Sequence, residues 1–308
     1  MARLTTKHPV PYSPPPSRVT PPSRAMRFVL LLTILLATTN STRGEEPLKL
    51  SLRGHAHVNG KDQHVERTAE WEPRQTAVII CDMWDDHWCR GAAARVVEMA
   101  PHVERLVAHL RSQGVLVIHA PSTCMAPYEG TPQRRLAQEA PHVETKLPLA
   151  TSTRWGTCWA WPDPQRESEL PIDDTDMGCD CAEKCEIREA WTRQIDAIHI
   201  EDGDAVTDNG QELFNLFKQR DIQHVAILGV HLNMCVLGRP FGIRQMIKQG
   251  MDVCLVRDLT DTMYNHRMRP FVDHFRGNDL MVDHVERYWC RTITSNQLLG
   301  GEPFAFKR

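Results

Sequence analysis

Five short apolar runs, separated by stretches with helical spacing, constrain this chain more than any other feature. They are TAVIICD (76–82), VLVIHA (115–120), IDAIHIE (195–201), HVAILG (224–229) and DVCLVRD (252–258). Runs that are apolar nearly throughout, instead of alternating, suit strands covered on both faces. Between the first two, Val103, Leu106, Val107 and Leu110 recur at helical spacing; Pro101 is placed to open the helix and Gly114 to stop it. The segment TDNGQELFNLFKQRD (207–221) predicts a second helix, with Asp208 and Gln211 spaced as a capping box. Further helices are expected after Cys235 and over NDLMVDHVERYW (278–289), the latter leading into TITS (292–295). Strand–helix alternation of this kind predicts an α/β chain: three α/β/α layers around a mostly parallel central sheet.

The ends and the middle depart from that rhythm. Residues 1–25 are rich in Pro, Ser and basic groups and cannot form a core. Residues 26–44 carry basic Arg27, an apolar stretch from Phe28 to Ala37, and small Thr42 and Gly44 ahead of two acids. That order predicts a secretory signal peptide, hence export, with no membrane association after cleavage. Residues 45–75 read as an extension ahead of a 76–308 domain, which is interrupted at about 121–190 by a Cys- and Trp-rich insertion. A formal charge of −3 over 308 residues gives no general attraction to nucleic acid.

Export favours disulfides among Cys158, Cys179, Cys181 and Cys185. A thiolate metal site is the weaker reading, because no pair of Cys-x-x-Cys knuckles is present. Cys81, Cys254 and Cys290 lie in apolar runs and read as core. EDGDAVTDNG (201–210) fails as a calcium loop, since Val206 and Thr207 stand where a ligand and the turn glycine belong.

In open parallel sheets ligands bind beyond the carboxyl ends of the strands. Three such ends carry reactive groups: Asp82, then Glu201 and Asp202, then the turn GVHLNMC (229–235) with Cys235. A lone buried cysteine is ordinarily inert. A cysteine after a Gly-initiated turn, paired with an acid on another strand end, is a candidate nucleophile.

These residues resemble the isochorismatase-like cysteine hydrolases, which include nicotinamidases and other amidohydrolases. AVIICDMWDDHW (77–88) is similar to that family's first strand, GVHLNMCV (229–236) to its nucleophile turn, and DVCLVRDLTDTM (252–263) to the following strand. The resemblance implies Cys235 as nucleophile and Asp82 as base. It implies His231 and Cys235 amides as oxyanion donors, presented by a cis peptide between Val230 and His231. Trp84, His87, Trp88 and Arg239 are expected to bind substrate. At the place of the family's triad lysine the reading puts Glu201 or Asp202, with the missing cation left to Lys146, Arg154, Arg239 or His231. The alternative is a catalytically inactive member that binds a small molecule. No cofactor is expected; Asp85, His87 and His119 are weak candidates for a divalent metal of the kind nicotinamidases hold. The partner implied is a small-molecule substrate, with a homo-oligomer left open.

Overall fold

The computed structural model describes residues 46–307; the leader and signal segments lie outside it. A hairpin opens the described chain, β1 (Leu48–Val58) and β2 (Lys61–Trp71), followed by β3 (Thr76–Cys81), helix α1 (Arg90–Ser112) and β4 (Leu116–Ala120). The insertion then contributes α2 (Pro132–Gln138) and the short strands β5 (Thr153–Arg154) and β6 (Thr157–Cys158). Next come β7 (Ala205–Val206), α3 (Gly210–Gln219), β8 (His224–Val230), α4 (Ile243–Lys248) and β9 (Asp252–Asp261). The chain closes with α5 (His274–Tyr288), β10 (Arg291–Ile293) and α6 (Asn296–Leu299).

Eight strands form one sheet in the order β2-β1-β10-β9-β8-β3-β4-β7. The pairs from β10 to β7 are parallel, whereas β1 meets both β2 and β10 antiparallel. Alternate side chains of β3 feed two cores. Ala77, Ile79 and Cys81 pack with α3, α4 and α5, while Val78 and Ile80 pack with α1. This is the three-layer arrangement expected from uninterrupted apolar runs, and it explains why those runs do not alternate. No helix of the described residues is long and apolar enough to cross a membrane.

Four local expectations need correction. Residues 48–71 do not stand apart as an extension; they widen the sheet, and Asn59 and Gly60, both at positive φ, make the two-residue turn between its strands. Helix α1 starts at Arg90, so Pro101 sits inside it, on an exposed position. Asn209, not Asp208, caps α3, its side chain accepting from the amides of Gln211 and Glu212. Residues 195–201 are not a strand; the edge strand is β7, several residues further on.

The insertion is held by a buried network around Glu167. Its carboxylate accepts from Arg244 at 2.8 and 2.9 Å, from Trp289 at 2.9 Å, and pairs with His284 at 3.0 Å. Despite burial, these partners pull its pKa from 4.5 down to about 2. Because the folded value lies below the unfolded one, the stabilisation is complete above the unfolded value and disappears as pH falls through the folded one. Glu167→Gln is expected to cost about 3–5 kcal/mol at neutral pH. In urea titrations the gap from wild type should stay constant at neutral pH and close as pH drops from 4.5 toward 2; a gap that does not change with pH would disprove the assignment.

Gly229, near the end of β8, has φ of +102°, and a Cβ there would fall 2.1 Å from the carbonyl oxygen of Cys81. Gly60 also has positive φ, with nothing within 4 Å of the corresponding position. Gly60→Ala should therefore cost only the left-handed penalty of about 1 kcal/mol. Gly229→Ala must in addition push β3 and β8 apart, and equilibrium unfolding should show a loss several times larger.

Candidate active site

The carboxyl ends of β3 and β8 bring Asp82 and Cys235 together. Asp82 follows β3 at positive φ of 49°, a conformation uncommon for a residue with a side chain and often found at functional positions. Cys235 lies in a single π turn, Leu232–Val236, directly after β8. The peptide between Val230 and His231 is cis. Asp82 and Cys235 are 0% and 4% exposed, and the two groups are close enough to shift each other's pKa.

The cation beside this pair is Arg239. Its Nε donates to Asp82 Oδ2 at 3.3 Å, and its positive charge also acts on the Cys235 sulfur. Its Nη1 is held by the Trp155 carbonyl at 3.1 Å and by the Thr157 hydroxyl. The other carboxylate oxygen of Asp82 accepts the Ser122 amide at 2.8 Å. A buried ion pair is tolerable only when its other donors and acceptors find partners, as both Asp82 oxygens and the Nε and Nη1 of Arg239 do.

Burial raises the pKa of both Asp82 and Cys235, and the neighbouring carboxylate raises that of the thiol further. Arg239 opposes both rises. Burial works against the arginine's own charge, but the two adjacent acids outweigh it and raise its pKa. Burial thus favours the protonated thiol, while the Arg239 guanidinium at 3.3 Å favours the charged form of Asp82. His231 is not the cation: burial, with His87 next to it, pushes its pKa well below the ordinary value. Lys146 is exposed and does not line the cleft, and Arg154 stacks over Trp155 at 3.8 Å from the ring centre.

Glu201 and Asp202 do not occupy the lysine's place. Both are exposed in a turn that precedes β7, and neither lines the cleft. The residues that follow β7 are Thr207 and Asp208, whose side chains are engaged with Glu212 and with the Thr123 amide. The weak metal candidates do not converge either. Asp85 accepts from Thr192, His119 sits between Gln194 and Asp204, and His87 accepts the Cys89 amide.

Cys235 opens onto a cleft of about 370 Å³ with Trp84, His87, Trp88, His231 and Arg239 among its walls. Trp84 stacks on Trp191 with ring centres 4.3 Å apart. Trp191, Met177 and Met263 also line the cleft. Sequence reading missed these three: they come from the insertion and from past β9, and carry no periodic signal. A larger depression of about 610 Å³, with Arg53, Arg257, Asp258 and Asp283 in its walls, contains neither Cys235 nor Asp82. Two further expectations fail. The helix expected directly after Cys235 is broken around Pro240 and resumes only at Ile243, so no long helix points its amino end at the sulfur. The described cysteines are all free, so the disulfides expected within the insertion are not formed.

No family model and no curated protein matches the sequence. Among solved structures, the chain is similar to a cysteine hydrolase from Pseudomonas syringae pv. phaseolicola 1448A, at 14% identity and a TM-score of 0.44, over 74% of this chain and 92% of that one. It is similar to an isochorismatase family protein from Burkholderia thailandensis at 14% identity and 0.41, over 73% and 93%. A third is the pyrazinamidase of Pyrococcus horikoshii in complex with zinc, at 15% and 0.36, over 67% and 94%.

The role of Arg239 is open to direct measurement. An opposite charge at this range shifts a pKa by about 1–3 units. Arg239→Met should thus slow alkylation of Cys235 by iodoacetamide at pH 7 about tenfold or more, read by peptide mass mapping. Arg239→Lys should recover part of the rate. Equal rates in all three proteins would show that the guanidinium does not influence the thiol.

Proposed function

We propose that this chain is a hydrolase that cleaves an amide or a related small C–N bond through Cys235 and Asp82. The observation that carries the reading is the buried Cys235 thiol set beside a buried carboxylate, Asp82, that is itself paired with Arg239 at 3.3 Å. Asp82 takes the thiol proton as sulfur attacks the carbonyl carbon, and Arg239 offsets the negative charge that moves onto sulfur. The amides of His231 and Cys235, by the resemblance noted from the sequence, receive the oxyanion. Asp82 returns the proton to the departing nitrogen as the C–N bond breaks, leaving a thioester on Cys235. Water, deprotonated by Asp82, then attacks the thioester, releasing the acid and restoring the thiol.

The aromatic walls and the volume of the cleft suit a small, flat, largely apolar amide. Arg239 also removes the motive for a non-catalytic alternative, which rested on acids standing in for the lysine. Export belongs to this reading as well, resting on residues 26–44. On a panel of small aromatic amides, Cys235→Ala should abolish turnover with the circular dichroism spectrum unchanged. Asp82→Asn should lower kcat by about 10²–10⁴. Turnover that survives Cys235→Ala would refute the proposal.

A further inference from the structure

Away from the cleft chemistry, Cys89 at the cap of α1 meets Cys179, Cys181 and Cys185 of the insertion. All four sulfurs lie within 4.8 Å of one another. We propose that these four cysteines form a structural site for a zinc ion, holding it as a tetrahedral tetrathiolate. The geometry fits. For Zn–S bonds of about 2.3 Å the edge of a tetrahedron is about 3.8 Å, and the Cys89 and Cys181 sulfurs are 3.8 Å apart.

The start of α1 faces the cluster. The Gly91 amide, in the first turn of α1, donates to the Cys181 sulfur at 3.3 Å. The positive amino end of that 23-residue helix is thus aimed at the cluster. On binding, four thiols release four protons and the ion leaves a net charge of −2. Arg267, which donates to the Cys181 carbonyl at 2.6 Å, stands beside that charge. The backbone between two of the ligands is fixed independently. Asp180 is paired with Arg95 at 2.8 Å and His274 at 3.3 Å, and both of these also hold Asp261. A second cluster, His55, His64, Asp283 and Glu286, is not chosen, because Arg53 and Arg287 already pair with its carboxylates.

The site would fasten the insertion to the start of α1, directly beside the cleft wall: Trp88 precedes one ligand, and Met177 lies two residues before another. The full chain, produced with zinc in the medium, should contain one zinc per chain by elemental analysis. Titrating its thiols with a mercurial should release that zinc. Exchange with Co²⁺ should give intense visible bands and near-ultraviolet sulfur-to-cobalt charge transfer. Cys181→Ser should lose these bands and at least tenfold in zinc affinity, whereas Cys235→Ser should keep both, separating this site from the cleft. Zinc that persists in Cys181→Ser, no zinc in the wild type, or an intact mass four hydrogens lighter than the thiol form would each overturn the site.

Discussion

The fully buried carboxylate of Asp82 determines how the rest of this protein is arranged. An anion without contact with water needs a cation and a complete set of donors, or it destabilises the fold by several kcal/mol. Arg239 supplies the charge and one donor, and the Ser122 amide supplies another. Arg239 in turn needs further acceptors, and its Nη1 finds two, the Trp155 carbonyl and the Thr157 hydroxyl. Both belong to the insertion. The insertion is therefore part of the electrostatics of the site, and its own anchor at Glu167 keeps those two acceptors in place.

The strands could be read from composition and order because burial on both faces leaves an uninterrupted apolar run. The same logic put Asp82 and Cys235 at strand ends that could share one crevice, although 153 positions separate them (235 − 82); that their strands are neighbours came from the structure. That logic failed where a segment is apolar for another reason. Ile195 and Ile198 pack against the α1-side core from a coil, so IDAIHIE imitates a strand. Taking it for one moved the strand end to Glu201 and Asp202 and placed acids where a cation was needed. The hairpin before β3 was legible and was overlooked: Asn59-Gly60 is the strongest short-range hairpin signal a sequence offers.

The partners of the insertion were beyond the reach of periodicity. Its contacts are made one side chain at a time, over long separations, by residues that repeat nothing. Counting local spacings finds Cys179, Cys181 and Cys185 but not Cys89, 90 positions before the nearest of them (179 − 89). Without the fourth sulfur three neighbouring cysteines suggest bridges. With it, the same residues outline a polyhedron.

The charge of the trio explains why a cation is required and why its source is secondary. At rest, thiol, carboxylate and guanidinium sum to zero. In the proposed reaction, once the proton moves, thiolate, carboxylic acid and guanidinium also sum to zero. Proton transfer therefore creates no net charge inside the protein, and the burial that raises both acids' pKa values is not worsened along the way. Replacing the cation by an acid would give a resting charge of −2, and the carboxylates would take up protons before the thiol could give one up. Any residue that delivers a permanent positive charge to this point satisfies the requirement. Arg239 reaches it from the turn after Cys235 instead of from the edge strand, and its planar fork binds the acid and the insertion at once.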